Sequence, residues 1–393
     1  MNSPSEAPKV VLDPSMTRVV NSVPVQTRSE RFHSTNPDEF PSVSGREPEW
    51  RLSPVKELTA LITGSLDGGE YELSSPASTA VTAEFVDSAT VQRGSVSEPE
   101  DRLAANAWSQ VEKTLVVTIT GDAGTVTLER STLGNVPRAA HTIVKVAEGA
   151  TATLIIRSSG AALLAENVEI DVAKGATLQM VSVQEWDDDA IHYASHFARV
   201  GEQASLNHIV ATMGGHIVVV NPSAELAGEK ANGELYGVYF AEAHQHLESR
   251  VYVHHVGPDT TSNVSYKGAL HGEGARTVWV GDVLIGAMAT GTDSYEQNRN
   301  LVLSDGTRAD SIPNLEIKTG DIAGAGHASA TGRFDDEHLF YLQSRGIPEV
   351  QARRLVVGGF LGEIVQRIDD EDLQVHLIDR IQQKLRDTEE APA

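Results

Sequence analysis

Residues 148–154 read EGATATL, residues 174–180 read KGATLQM and residues 202–208 read EQASLNH. Aligned on Ala150, Ala176 and Ala204, these segments step along the chain by 26 and 28 residues. Each places the same small-residue corner ahead of a β-prone run. One turn of a parallel β-helix uses about that much chain, and recurrence at a near-constant period marks a solenoid.

The flanking sequence has the same grain. LVVTIT (115–120) is followed by the turn GDAG and then TVTLER, a hairpin-like or corner arrangement. TIVKVAEG, TLQMVSVQEW, HIVVVN, ELYGVYF, SRVYVHHVG and TVWVGDVLIG continue as short β-branched segments closed by Gly, Asn, Asp or Pro. For about two hundred residues no convincing helix intervenes, which disfavours βαβ architectures. The predicted fold is mainly β, a right-handed parallel β-helix over residues 111–333. A flexible N-terminus with a small helical or mixed cap (1–110) precedes it, and a C-terminal helical domain (334–393) follows.

Residues 1–30, rich in Ser, Pro, Thr and charge, are expected to be disordered. Pro37, Pro41, Pro48 and Pro54 restrict residues 32–62 to short helical turns, with Trp50 as a core anchor. Between them and the solenoid, 70–74 and 79–85 are candidate strands and 98–111 a candidate helix. Beyond it, DDEHLFYLQSRG (335–346) starts acidic and ends at Gly346, as a helix should. Pro348 opens a second helix, weakened by Gly358 and Gly359. A third carries Leu373, Leu377, Ile381 and Leu385 four residues apart. Such a stripe must be buried, on the chain's own body or on a partner subunit.

The chain has 393 residues, is 40% hydrophobic and carries 55 Asp and Glu against 31 Lys and Arg, a net charge of −24. A surface so acidic repels phosphate backbones, so no nucleic-acid partner is expected. The absence of cysteine excludes disulfides, thiolate metal sites and cysteine nucleophiles. The N-terminal residues lack a signal-peptide core and no run is long enough to span a bilayer, which predicts a soluble, cytoplasmic protein without membrane contact.

Candidate chemistry is sparse. Neither a GxxxxGK[ST] loop nor a GxSxG elbow is present, so an independent enzyme is poorly supported. Nine of the 14 histidines fall between His192 and His271. His244 and His246 share a face if their segment is a strand, whereas His254 and His255 oppose each other. A metal centre needs about three converging ligands, and this spacing favours polar histidines on a solenoid face instead. Glu185–Asp189 (EWDDD) is either an acidic cluster of carbohydrate-active type or a solvated loop. His327 lies in AGAGHASATG, where small residues admit a close partner and imidazole can ligate iron or carry protons.

Residues 300–368 resemble the C-terminal signature of the SufB/SufD family, the scaffold subunits of the SUF iron–sulfur cluster assembly system. Ser311, Pro313, Leu315, Glu316 and Ile317 match its first part, Asp321, His327 and Gly332 its second, and LFYLQSRGI (339–347) its third. The region 352–360 continues the match, and GREPEWR (45–51) looks like the family's N-terminal motif. The signature has a cysteine two residues before the histidine, where this chain has Ala325. The resemblance is therefore nearest to SufD.

It implies a non-catalytic scaffold that pairs with a SufB-like paralogue and docks a SufC-like ATPase. His327 would stand at the cluster-forming interface as ligand, proton carrier or gate, with a transient iron–sulfur cluster in the complex and no cofactor held stably by the lone chain. The implied partner contacts are Leu339, Phe340, Tyr341, Arg345, Phe360, Leu373, Leu377 and Ile381. A homodimer of the isolated chain stays open. The alternative is a parallel β-helix polysaccharide lyase or hydrolase acting through Glu185–Asp189.

Overall fold

The alanine corners form one edge of a stack. The computed structural model describes residues 32–74, 79–333 and 336–390; the stretch 1–30, expected to be disordered, lies outside them. Ala150, Ala176, Ala204 and Ala231 are buried, and each donates its N–H to the carbonyl three residues earlier (3.0–3.2 Å). Thr260 and Thr292 extend the column, with hydroxyls bonded to the carbonyls of Gly257 and Ala289. The residue before each corner, Gly149, Gly175, Gln203, Lys230, Asp259 and Gly291, has a left-handed backbone (φ 55–70°). That conformation turns its N–H toward a carbonyl of the following coil, at 2.7–3.0 Å. The three-copy repeat thus extends to six.

The lead strand β1 (Val81–Asp87) is followed by β2 (Lys113–Ile119), β3 (Asp122–Ser131), β4 (Gly134–Val146) and β5 (Thr151–Gly160). Next come β6 (Ala162–Val172), β7 (Thr177–Trp186), β8 (Ile191–Val200), β9 (Ser205–Thr212), β10 (Ile217–Leu226) and β11 (Asn232–Ala241). The body ends with β12 (His246–His255), β13 (Thr261–Leu270), β14 (Arg276–Ile285), β15 (Thr292–Val302), β16 (Arg308–Ile317) and β17 (Ile322–Gly332). Even-numbered strands and β1 form one sheet (sheet A); odd-numbered strands from β3 to β17 form the other (sheet B). The result is a parallel β-solenoid of about eight turns. GDAG at 121–124 is accordingly a corner between sheets, since β2 and β3 lie in different ones.

Three apolar layers hold the body together. Between the sheets, aliphatic rows such as Ala152, Leu178 and Leu206, in register on successive coils, stack coil on coil. Helices α1 (Val55–Thr63) and α2 (Arg102–Gln110) cover the outer face of sheet A, where Leu58, Leu61, Leu103 and Ala107 meet Ala139, Ala165, Ile217 and Val219. Trp50 is buried there, stacked on Tyr193 at 6.0 Å. Asp101 caps α2 through the Ala104 N–H and also accepts the Tyr193 hydroxyl at 2.7 Å. Because both faces of the central strands are covered, they read as near-continuous apolar runs.

The outer face of sheet B is covered by the chain's own tail. Helices α3 (Asp336–Ser344), α4 (Glu349–Val365) and α5 (Glu371–Glu390) follow β17. Leu373, Leu377, Ile381 and Leu385 of α5 pack with Val357, Leu361, Ile364 and Val365 of α4 on Ile155, Val181, Val183, Ile209 and Val238. The stripe is therefore buried within one chain, which corrects its assignment to a second subunit. Gln179 pins the loop between the helices, accepting from the Asp369 N–H and donating to the Arg367 carbonyl. At Gly358 the α5 side chain of Gln382 lies directly over the α4 backbone, its Nε2 2.5 Å from where a Cβ would stand. Among the described residues no helix is long and apolar enough to cross a membrane.

Leu377→Ala should cost about 2–5 kcal/mol, the usual penalty for emptying a buried leucine site. Urea unfolding would register the loss, and hydrogen exchange should place the earliest opening in α4 and α5.

Candidate functional site

The two ends of the solenoid are finished differently. At the first coil, β1 pairs antiparallel with β2 along seven residues, and Ser74 forms a bridge with Glu129 of β3. At the last coil, β16 pairs only with β14 and β17 only with β15. No described strand lies beyond them, so each presents a free backbone edge, the feature that recruits another strand.

The side chains of the last coil follow from its register. Ala325, His327, Ser329 and Thr331 of β17 pair with Ser294, Glu296, Asn298 and Asn300 of β15. Those four β15 residues are buried and face the interior: Ser294 bonds Ser262, and Asn298 and Asn300 both reach the Tyr239 hydroxyl (2.8 and 2.7 Å). Register partners in a parallel sheet share a face. His327 and Ala325 therefore continue the interior row, yet His327 is exposed because no further coil covers it.

Glu296, beside His327 in this row, is 1% exposed, and no side chain hydrogen-bonds its carboxylate, which has only the backbone amide of Asn314 beside it. Three other buried glutamates show the contrast. Glu166 holds both nitrogens of the Arg130 fork (2.6 and 2.7 Å) and His192 (2.8 Å). Glu169 takes His141 and the amides of Gly94 and Val96, tying the N-terminal segment to sheet A. Glu248 takes Arg250, His246 and Ser53.

Burial would raise the Glu248 carboxyl, but Arg250 and His246 outweigh it and bring it down to about 2. For Glu296 burial acts without such a counterweight. It pushes the carboxyl up to about 8, helped by the charge of Asp282 and opposed only by the backbone amide of Asn314. The space its carboxylate occupies exists because residue 281 is glycine: a Cβ there would lie 2.4 Å from Glu296 Oε2 and 2.3 Å from the Trp279 ring.

The other candidates do not converge. Among the described residues no group of three His, Cys, Asp or Glu is placed to hold a metal. The 192–271 histidines are spread over successive coils, several of them inside and not on a solenoid face. His196 and His208 share a 2.9 Å bond across the interior, and burial holds the first down to about 4. His255 bonds Thr260 and Ser262. His244 is not in a strand with His246; it occupies a corner with φ 62°. In the EWDDD segment Trp186 points inward, Glu185 binds His376 of α5 at 2.8 Å, and Asp187, Asp188 and Asp189 are exposed at a corner.

The expected partner contacts divide in two. Leu339, Leu373, Leu377 and Ile381 are buried in the chain itself, and Phe360 is half-buried beneath Lys267. Phe340 (73%) and Tyr341 (57%) are exposed, with the Arg345 guanidinium over the Tyr341 ring.

Residues 130–360 match the family model described as SUF system FeS cluster assembly, SufBD core domain. The chain belongs to the SufBD family. It is 43% identical to an iron–sulfur cluster assembly SufBD family protein of Mycobacterium bovis over 387 residues, 96% of this chain and 97% of that protein. A Mycobacterium leprae relative of the same description is 43% identical over 380 residues, covering 94% and 97%. A further SufBD family protein, from Mycobacterium tuberculosis, is 30% identical over 201 residues, 51% of this chain and 24% of its own length. The matched SufBD core runs from β3 into α4 and so contains both Glu296 and His327.

His327 was legible as a candidate from its surroundings; Glu296 was not. In TDSYEQNRNLV both alternating phases are polar, so only the register shows which phase faces inward.

The pH response of Glu296 has a definite sign. Its folded pKa lies above the unfolded value, so its contribution is full below about pH 4.5 and declines as pH rises toward 8. Relative to wild type, Glu296→Gln should become progressively more stable between pH 5 and 8, by at most about 1.4 kcal/mol per pH unit, as read from urea midpoints.

Proposed function

We propose that this SufBD chain is a non-catalytic, SufD-like scaffold subunit that presents His327 at an end-to-end interface with a cysteine-bearing SufBD paralogue, where an iron–sulfur cluster is assembled as cargo. The observation that carries this reading is the last coil, where β16 and β17 keep unpaired outer edges and His327 continues the interior row. Free edges of β16 and β17 can extend both sheets into a second solenoid by strand addition. Alone, the same edges offer a homodimer.

The chemistry agrees with that division of labour. Ala325 shares the interior row with His327 but is a methyl group, and the chain has no cysteine. Thiolates, which suit iron–sulfur clusters, must then come from outside. Mycobacterium tuberculosis carries both a 43% identical relative and the second SufBD family protein, which supports a paralogous pair.

A SufC-type ATPase docks on the exposed side of α3 and α4 in this reading, where Phe340, Tyr341 and Leu355 are uncovered. α5 serves as the support that fixes α4 to sheet B. The complex works in the cytoplasm.

His327→Ala should leave co-purification with the paralogue intact while lowering cluster formation in cells; full cluster assembly by that variant would sink the assignment. Phe340→Asp combined with Tyr341→Ala should weaken ATPase capture at least tenfold without moving the unfolding midpoint, since both side chains are solvent-exposed in the lone chain. Unchanged capture would move the docking surface elsewhere.

A further inference from the structure

We infer that residues 1–31 dock on the outer face of sheet A over β12, β14 and β16, as a strap that covers the last coils of the solenoid. The inference concerns the face of the sheet and not its edge, so it stands apart from the pairing proposed above.

Its first support is a set of buried residues that the three apolar layers do not account for. Val278, Val280 and Leu284 of β14 alternate with Trp279, Val283 and Ile285, which face the interior, so they point outward. They are 2%, 7% and 5% exposed, yet none belongs to the interior layer, to the one under α1 and α2, or to the one under α4 and α5. The layer under α1 and α2 ends at Ile217 and Val219 of β10, two strands short of β14. Ser53 reaches one strand farther, hydrogen-bonded to Glu248 and Arg250 of β12. An outward apolar face of a sheet needs another element to bury it.

The second support is complementarity. Residues 1–31 contain two valine-rich runs, KVVLD (9–13) and RVVNSVPV (18–25). They carry Lys9, Arg18, Arg28 and Arg31 against Glu6, Asp13 and Glu30, a net charge of +1 where the whole chain carries −24. Asp282 and Glu316 stand beside the apolar residues on the same face of sheet A. A second copy of this chain would bring an acidic surface to that face, whereas this segment brings apolar side chains and a positive balance.

Reach is the third. Just past Phe32, where the described chain begins, Ser34 donates to the Pro99 carbonyl at 3.1 Å, close to Asp101, which holds Tyr193 of β8. Four strand spacings separate β8 from β16, about 19 Å. About six extended residues cross that distance, a small part of the segment.

The chain has no cysteine, so a single introduced one reports on the face without background. Maleimide labelling of Val280→Cys should be slow in the full chain and at least tenfold faster once residues 2–31 are deleted. Met288→Cys, on an exposed corner, should label at the same rate in both. A synthetic peptide of residues 1–31 should restore slow labelling of Val280→Cys. Unchanged labelling after the deletion overturns the inference, and protection that varies with protein concentration overturns it in favour of a second copy. Should the deleted chain not fold, a protease site placed between Arg31 and Phe32 of the full chain decides. A cut segment that co-elutes with the body in gel filtration supports the strap, and one that separates refutes it.

Discussion

Every inner coil of this solenoid has its backbone satisfied by the coils above and below it. The N–H and C=O groups of a strand point along the stacking axis and demand partners there, since a buried backbone group left unpaired is costly. The column from Gly149 to Gly291, whose left-handed residues each bond to the next coil, carries the same demand around the corners. An architecture of this kind cannot end without a device for its last coil. At one end β1 adds an antiparallel strand to sheet A and leaves β3 at the edge of sheet B; at the other, no strand follows β16 and β17 among the described residues.

The same constraint orders the interior. Side chains between the sheets are stacked in rows, so a polar residue must find its partner in the adjacent coil or across the gap. Arg130 with Glu166 and His192, the His196–His208 pair, and Tyr239 with Asn298 and Asn300 are such solutions. Buried ions are tolerated when paired in this way. Glu296 is a buried acid of the terminal coils that has no such solution, and it lies one strand in from the open end, beneath β17.

Much of the architecture was legible in the amino-acid order because solenoid corners repeat. Ala150, Ala176 and Ala204 announced the period, and the column continued through Ala231, Thr260 and Thr292 where Thr replaced Ala and hid the repeat. The helices were legible too: α4 and α5 follow from Pro348 and the leucine stripe. Their destination was not, because periodicity shows that a face needs cover without saying which surface supplies it. Contact with Val181, Ile209 and Val238 puts that cover on the chain's own sheet B.

By itself the sequence determined a long mainly-β body with recurring corners, a helical tail, an acidic cysteine-free composition and one histidine among small residues at the junction. Only the tertiary structure decided that the body begins with an antiparallel strand and ends on the unpaired edges of β16 and β17, that α5 is spent on sheet B, and that Glu296 stands beside His327. The physical reason is register. Which residues share a face, and which coil is last, depend on how strands 26 to 32 residues apart pair, and no local property of the chain encodes that pairing.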